Sequence, residues 1–225
     1  MHINKKKILL YKIKACAKQY DYNLNNQNLL FIIKNTNNQI QYLQVKFTPS
    51  TFQHLTGCYE VVKGKRMPAY KFYKDCINDR IQAQNLFIEN SFVFEKLEVL
   101  PQLIQVDKIA RMVGDYFDGY GILLETEKIA GTVNCCIGFV IDQYNYYVPN
   151  TSLKIDIRKV TNKRAIVKAV LKKKIKDSLY KNVTYLISNV ETLKILNNKL
   201  IDVEKLYSNN YKINERIVKL KLSLK

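Results

Sequence analysis

The chain changes texture at Gly114, and that change narrows the folds open to it. Before it, apolar residues recur mostly at helical spacing. Leu9, Ile13, Cys16 and Tyr20 share one face of a basic amphipathic helix over 6–20. After it, the runs 121–126, 133–141, 144–149 and 153–160 have strand character, punctuated by Gly119, Gly131 and Asn145. Helices first and strands later imply an α+β domain, with N-terminal helices packed on a small antiparallel sheet.

Within the first half, 29–34 and 40–47 read as strands. Asn35-Thr36-Asn37-Asn38 between them is a turn signal, so they should form a hairpin. Residues 58–67 read as a basic loop. Pro68 should open a helix running to about Ile81, with Tyr70, Tyr73, Ile77 and Ile81 in phase. Residues 91–113 read as helices broken by Pro101. Lys163–Tyr180 suits either a basic helix or a strand running into a helix. A last strand over 183–188, a helix over 191–206 and an edge strand or tail over 207–225 complete the reading.

With 225 residues and 47% apolar content, the chain can bury a core. Lys and Arg number 37 against 19 Asp and Glu, a net charge of +18. Such a balance implies a polyanionic partner, nucleic acid before anionic lipid. The five cysteines are odd in number and form no CxxC, which points to reduced thiols in a cytoplasmic protein and away from zinc. No run reaches the roughly 20 apolar residues of a membrane span. A dinucleotide fingerprint, a P-loop and HExxH are all absent, and no carboxylate cluster suits a two-metal site. No cofactor is expected.

Thr48-Pro49-Ser50-Thr51-Phe52-Gln53-His54-Leu55-Thr56-Gly57 carries the main candidate for chemistry. Thr48 suits an N-cap, Pro49 a first helical position and Gly57 a left-handed stop. In a helix of about two turns, Phe52 and Leu55 share a face and His54 points away from it. A side chain that titrates near neutral pH is then presented on a short rigid element of a basic protein. A second constellation is Tyr146-Tyr147-Val148-Pro149-Asn150-Thr151, followed by Asp156 and Arg158, a plausible phosphate cradle. One of the two adjacent tyrosines should be exposed. The third is 154–181, with eleven Lys or Arg against two Asp, a surface suited to tracking a phosphate backbone.

The run Phe52-Gln53-His54-Leu55-Thr56-Gly57 resembles a Phe-x-His-Leu-x-Gly signature of phage-associated nucleases of the Barnase–EndoU–colicin–RelE class, fourth group. The order that follows is also similar: a Tyr- and Lys-rich helix from Tyr70, then Asp79-Arg80-Ile81, Gly138-Phe139 and Tyr146-Tyr147-Val148-Pro149. The likeness covers roughly residues 28–190. It implies helices on an antiparallel sheet of about four strands, metal-independent RNA cleavage, and a phage or mobile-element origin with a toxin-like role. A cognate antitoxin or immunity protein is an implied partner.

These readings converge on an RNA endonuclease in which the 2′-OH attacks the adjacent phosphorus. His54 would be acid or base, Arg80, Arg158 and Lys71 would stabilise the phosphorane, and Thr151 and Tyr147 would position the phosphate. Lys71, Tyr147, Lys168, Lys172, Lys173 and Lys176 are candidate nucleic-acid contacts. A non-catalytic basic nucleic-acid-binding protein is the alternative. The expected organisation is a basic helix and loop over 1–27, a nuclease-like domain over 28–190 and a C-terminal helix and tail over 191–225 on the same domain.

Overall fold

A computed structural model describes residues 3–89, 91–119, 121, 124–177, 180 and 182–187. The elements are α1 (Ile3–Asn23), β1 (Gln27–Lys34), β2 (Ile40–Phe47), α2 (Thr51–Thr56), β3 (Cys58–Val62), β4 (Lys65–Arg66), α3 (Ala69–Ile77) and β5 (Leu86–Ile88). There follow α4 (Val93–Leu103), α5 (Val106–Ile109), β6 (Met112–Tyr116), β7 (Lys128–Gly131), β8 (Cys136–Ile141), β9 (Tyr147–Leu153), β10 (Thr161–Lys174) and β11 (Asn182–Leu186). The expected helix over 191–206 and the tail over 207–225 lie outside the described residues.

The expected small antiparallel sheet is wrong. The strands form a closed, mixed seven-stranded barrel in the order β1-β2-β9-β8-β7-β6-β10, with β10 returning to β1. Two relationships make the ring. β10 is 14 residues long. Its first part pairs with β6 and its second with β1, so one strand bridges both halves of the chain. On the other side β2 meets β9 in parallel, through the single pair Val45 and Tyr147. β11 pairs with Ala169–Lys172 beside β6 and lies outside the ring. A separate three-stranded sheet joins β4, β3 and β5, so the expected basic loop at 58–67 is mostly a hairpin.

One strand face carries Leu29, Phe31, Ile33, Leu43, Val45, Phe47, Ile137, Phe139 and Val167. These share a single core with Leu9, Ile13, Tyr20, Phe52, Leu55, Phe72, Leu97 and Leu100 of the helices. The opposite face holds two smaller clusters, around Ile32 and Leu171 and around Ile129 and Val160. At 25 cal/mol per Å2, each large side chain buried here contributes roughly 1.5–3 kcal/mol.

α1 and the β1–β2 hairpin match expectation, with Asn35 Oδ1 accepting from the Asn37 and Gln39 amides to shape the turn. Pro101 does not break its helix. It lies inside α4 near the C-terminal end, exposed, while buried Leu97, Leu100 and Leu103 hold the segment helical. In α3 the buried face is Phe72, Tyr73 and Cys76, and Tyr70 is exposed. Within 121–126, residues 124–126 form no strand.

Candidate active site

α2 is held at both ends. Tyr20 is fully buried; its hydroxyl donates to the Thr48 carbonyl at 2.8 Å and shares a hydrogen bond with Thr51 Oγ1 at 2.7 Å. Thr51 Oγ1 in turn donates to the Thr48 carbonyl, so the hydroxyl that organises the entry is that of Thr51 and not of Thr48. Ser50 occupies the N-cap without a side-chain cap bond. At the exit, Gly57 adopts φ 64°, a left-handed conformation that glycine takes without a Cβ clash, and its amide donates to Gln53 O. Ser152 Oγ of β9 donates to the Leu55 carbonyl at 2.7 Å. Phe52 and Leu55 are buried and His54 is exposed, as the spacing required.

His54 lines a cleft of about 540 Å3 at the β2–β9 seam. Its lining comes from two stretches of chain: Lys46, Thr48, Ser50, Thr51 and His54 from the first, and Glu125, Val140, Asp142, Val148, Pro149 and Asn150 from the second. Asn150 reaches the cleft because of a β-bulge. Gly138 pairs with Thr151 and Phe139 with Pro149, which leaves Asn150 as the extra residue of β9. Its amide is fixed: Nδ2 donates to the Glu125 carbonyl and Oδ1 accepts from Thr126 Oγ1. Pro149, which lacks an N–H, fits beside that bulge.

Loss of hydration pushes the His54 pKa below its ordinary value; nearby Lys96 and Arg66 push the same way and Glu89 opposes them. That direction favours the neutral imidazole, which has a lone pair to accept a proton. Lys96 Nζ lies 3.5 Å from the His54 carbonyl oxygen. Arg66 is paired with Glu89 at 2.5 Å and its guanidinium lies 4.2 Å from the Tyr59 ring centroid. Among the described residues, no three His, Cys, Asp or Glu side chains group as a metal site.

None of the remaining sequence candidates lines this cleft. Arg80 follows the end of α3, next to Asp79, which pairs with Lys14 and Lys18 of α1. Arg158 is clamped by the Asp156 carboxylate. Thr151 is buried against Gly138, one residue behind Asn150. Lys71 pairs with Asp75 within α3. Tyr147 is half-buried at the barrel seam, where loss of hydration raises its pKa. Lys172 is turned inward, bonded to Asn23 and to the fully buried Asp107. Lys173 lies over the Tyr180 ring at 5.0 Å, Lys168 is half-buried and Lys176 is exposed. Sequence reading did not join Lys46 or Glu125 to His54, and it placed Asn150 in a separate phosphate cradle with Thr151 and Arg158.

Fold and site together define a basic, helix-decorated mixed barrel with a histidine-bearing cleft at its seam. A family model described as phage-Barnase-EndoU-ColicinE5/D-RelE like nuclease4 matches residues 12–189, and the chain belongs to that nuclease family. No curated protein and no solved structure matches it.

Proposed function

We propose that this nuclease is an RNA endonuclease that needs no metal and works by 2′-OH transesterification. The observation that carries the reading is that His54, with its pKa lowered, lines one open cleft together with Lys46, Glu125 and Asn150. His54 accepts the proton of the 2′-OH, and the 2′-oxygen attacks phosphorus. The P–O5′ bond breaks, and the leaving 5′-oxygen takes its proton from solvent in the cleft. The products are a 2′,3′-cyclic phosphate and a 5′-hydroxyl. Positioned general base catalysis of this kind contributes roughly 10²–10⁴-fold. Lys46, which lines the same cleft, supplies a positive charge to offset the negative charge that the phosphorane gains. Loss of hydration favours the basic form of His54, and Lys96 and Arg66 act the same way against Glu89. Asn150, locked through both ends of its amide, orients the strand.

The nucleophile belongs to the substrate, and DNA lacks it. Labelled RNA should be cut in excess EDTA, leaving cyclic or 3′-phosphate ends, and DNA should not. A substrate with one 2′-deoxy sugar at the cut site should bind without being cut. His54→Ala should fold and lose cleavage. Binding of RNA with no cleavage by the wild-type protein under any condition would instead mark a non-catalytic nucleic-acid-binding protein.

A further inference from the structure

From the rim of the His54 cleft outward, tyrosines and lysines alternate along one surface. Asp142 builds the β8–β9 turn, its Oδ1 accepting from the amides of Tyr144 and Tyr146 at 2.9 Å, with Asn145 at φ 62°. The turn holds Tyr144 out into solvent, 67% exposed. Lys46, which lines the His54 cleft, sits between the two rings, 5.7 Å from the Tyr144 centroid and 5.3 Å from that of Tyr146. Tyr146 is close enough to Tyr180 to couple to it electrostatically. The Tyr180 hydroxyl accepts from Gln44 Nε2 at 2.8 Å, and Lys173 covers the Tyr180 ring. Lys46, Asn28 and Lys173 lie in one cross-strand row of β2, β1 and β10. At ordinary strand spacing, the row from Lys46 to Lys173 spans roughly 10 Å.

We propose that this Tyr144–Lys46–Tyr146–Tyr180–Lys173 row is a track for an unpaired RNA strand, leading to His54. Phosphates follow the lysines and bases stack on Tyr144 and Tyr146, while Tyr180, packed on the Ile32 and Leu171 cluster, holds Lys173 in place. Aromatic faces accept any base but only one that is out of a duplex, because paired bases are already stacked. Tyr144 is the leading stacking residue: its ring is open, and its turn is ordered before the strand arrives. The substrate class is therefore single-stranded RNA or a loop, not a duplex.

The track rests on the cleavage reading only for where it ends, and binding tests it without turnover. Full-length His54→Ala protein is titrated with a labelled, unstructured short RNA and with a duplex of the same sequence. The single strand should bind at least tenfold more tightly. Adding Tyr144→Ala should weaken single-strand binding about tenfold, in line with the loss of one stacked base. Tyr144→Phe should retain the affinity, and Lys46→Gln should flatten its dependence on salt. Tyr144 is exposed and outside the core, so its variants fold. Equal affinity of Tyr144→Ala and its parent, or duplex bound as tightly as single strand, overturns the track. Failure of the wild-type protein to cleave overturns the reaction and leaves the track standing.

Discussion

The Lys96 ammonium lies 3.5 Å from the backbone carbonyl oxygen of His54, and Glu89 lies close enough to oppose its effect on the imidazole. Charge around one ring is thus split between groups that can be removed one at a time. With His54 as the base, kcat/KM should rise with pH through a pKa below 6.5 and be level at neutral pH. Lys96→Met should move this acid limb to higher pH, and Glu89→Gln should move it to lower pH. Rate profiles of the three proteins on one RNA substrate check this; limbs that coincide would show that His54 is not the titrating group. The same shift bears on stability. Because the folded pKa is depressed, His54 favours unfolding as pH falls from 6.5 through the folded value and has no effect above 6.5.

Ser152 and Leu55 bring a prediction about placement. The Ser152 hydroxyl satisfies a buried carbonyl at the end of α2. Ser152→Ala leaves that acceptor bare, at about 1–3 kcal/mol. The urea midpoint should fall with the slope unchanged. A midpoint equal to that of the wild type would show that the Ser152 bond does not help to hold α2.

Lys172 separates structural lysines from surface ones. Its ammonium is 3.0 Å from the fully buried Asp107 carboxylate, with only 14% of its side chain exposed. Lys172→Ala strands that carboxylate and should cost about 3–5 kcal/mol. Lys176→Ala, on an exposed position, should leave urea stability within about 0.5 kcal/mol. Similar denaturation curves for the two variants would contradict the buried pair.

A fourth prediction concerns Glu60 and Asp75, both buried where β3 meets α3, with Glu60 Oε2 and Asp75 Oδ1 left unpartnered. Burial, and then the neighbouring Asp75, raise the Glu60 pKa. A raised folded pKa means that the stability is present below the unfolded value of 4.5 and is lost as pH climbs through the folded value. Glu60→Gln should remove that decline. Urea unfolding of both proteins across the acid range reads it directly, and parallel curves would exclude a proton held at Glu60.

What was legible in the sequence was local. Gly57 marked the end of α2, the Phe52 and Leu55 spacing turned His54 outward, and the Asn35 turn set the β1–β2 hairpin. What was hidden depends on pairings distant along the chain. β10 joins β1 across more than a hundred residues, and neither strand announces its partner. β10 was also ambiguous in kind. Its register shifts at Asn162–Ala165, and Val170 and Leu171 are both buried, which blurs a period of two. The companions of His54 were hidden for the same reason, since Lys46, Glu125 and Asn150 come from three separated segments. Arg80 and Arg158 were of the right chemistry, but each sits beside its own local carboxylate or helix end.

The barrel is joined at β2–β9 by one residue pair, Val45 with Tyr147, while its other joins run over several. A ring loosens at its narrowest join, so amides near this seam should exchange with deuterium ahead of those in β1 and β10. That join borders both the His54 cleft and Lys46. The barrel join expected to open first is thus the one a passing strand must enter, and a strand lying across it would act as a clasp.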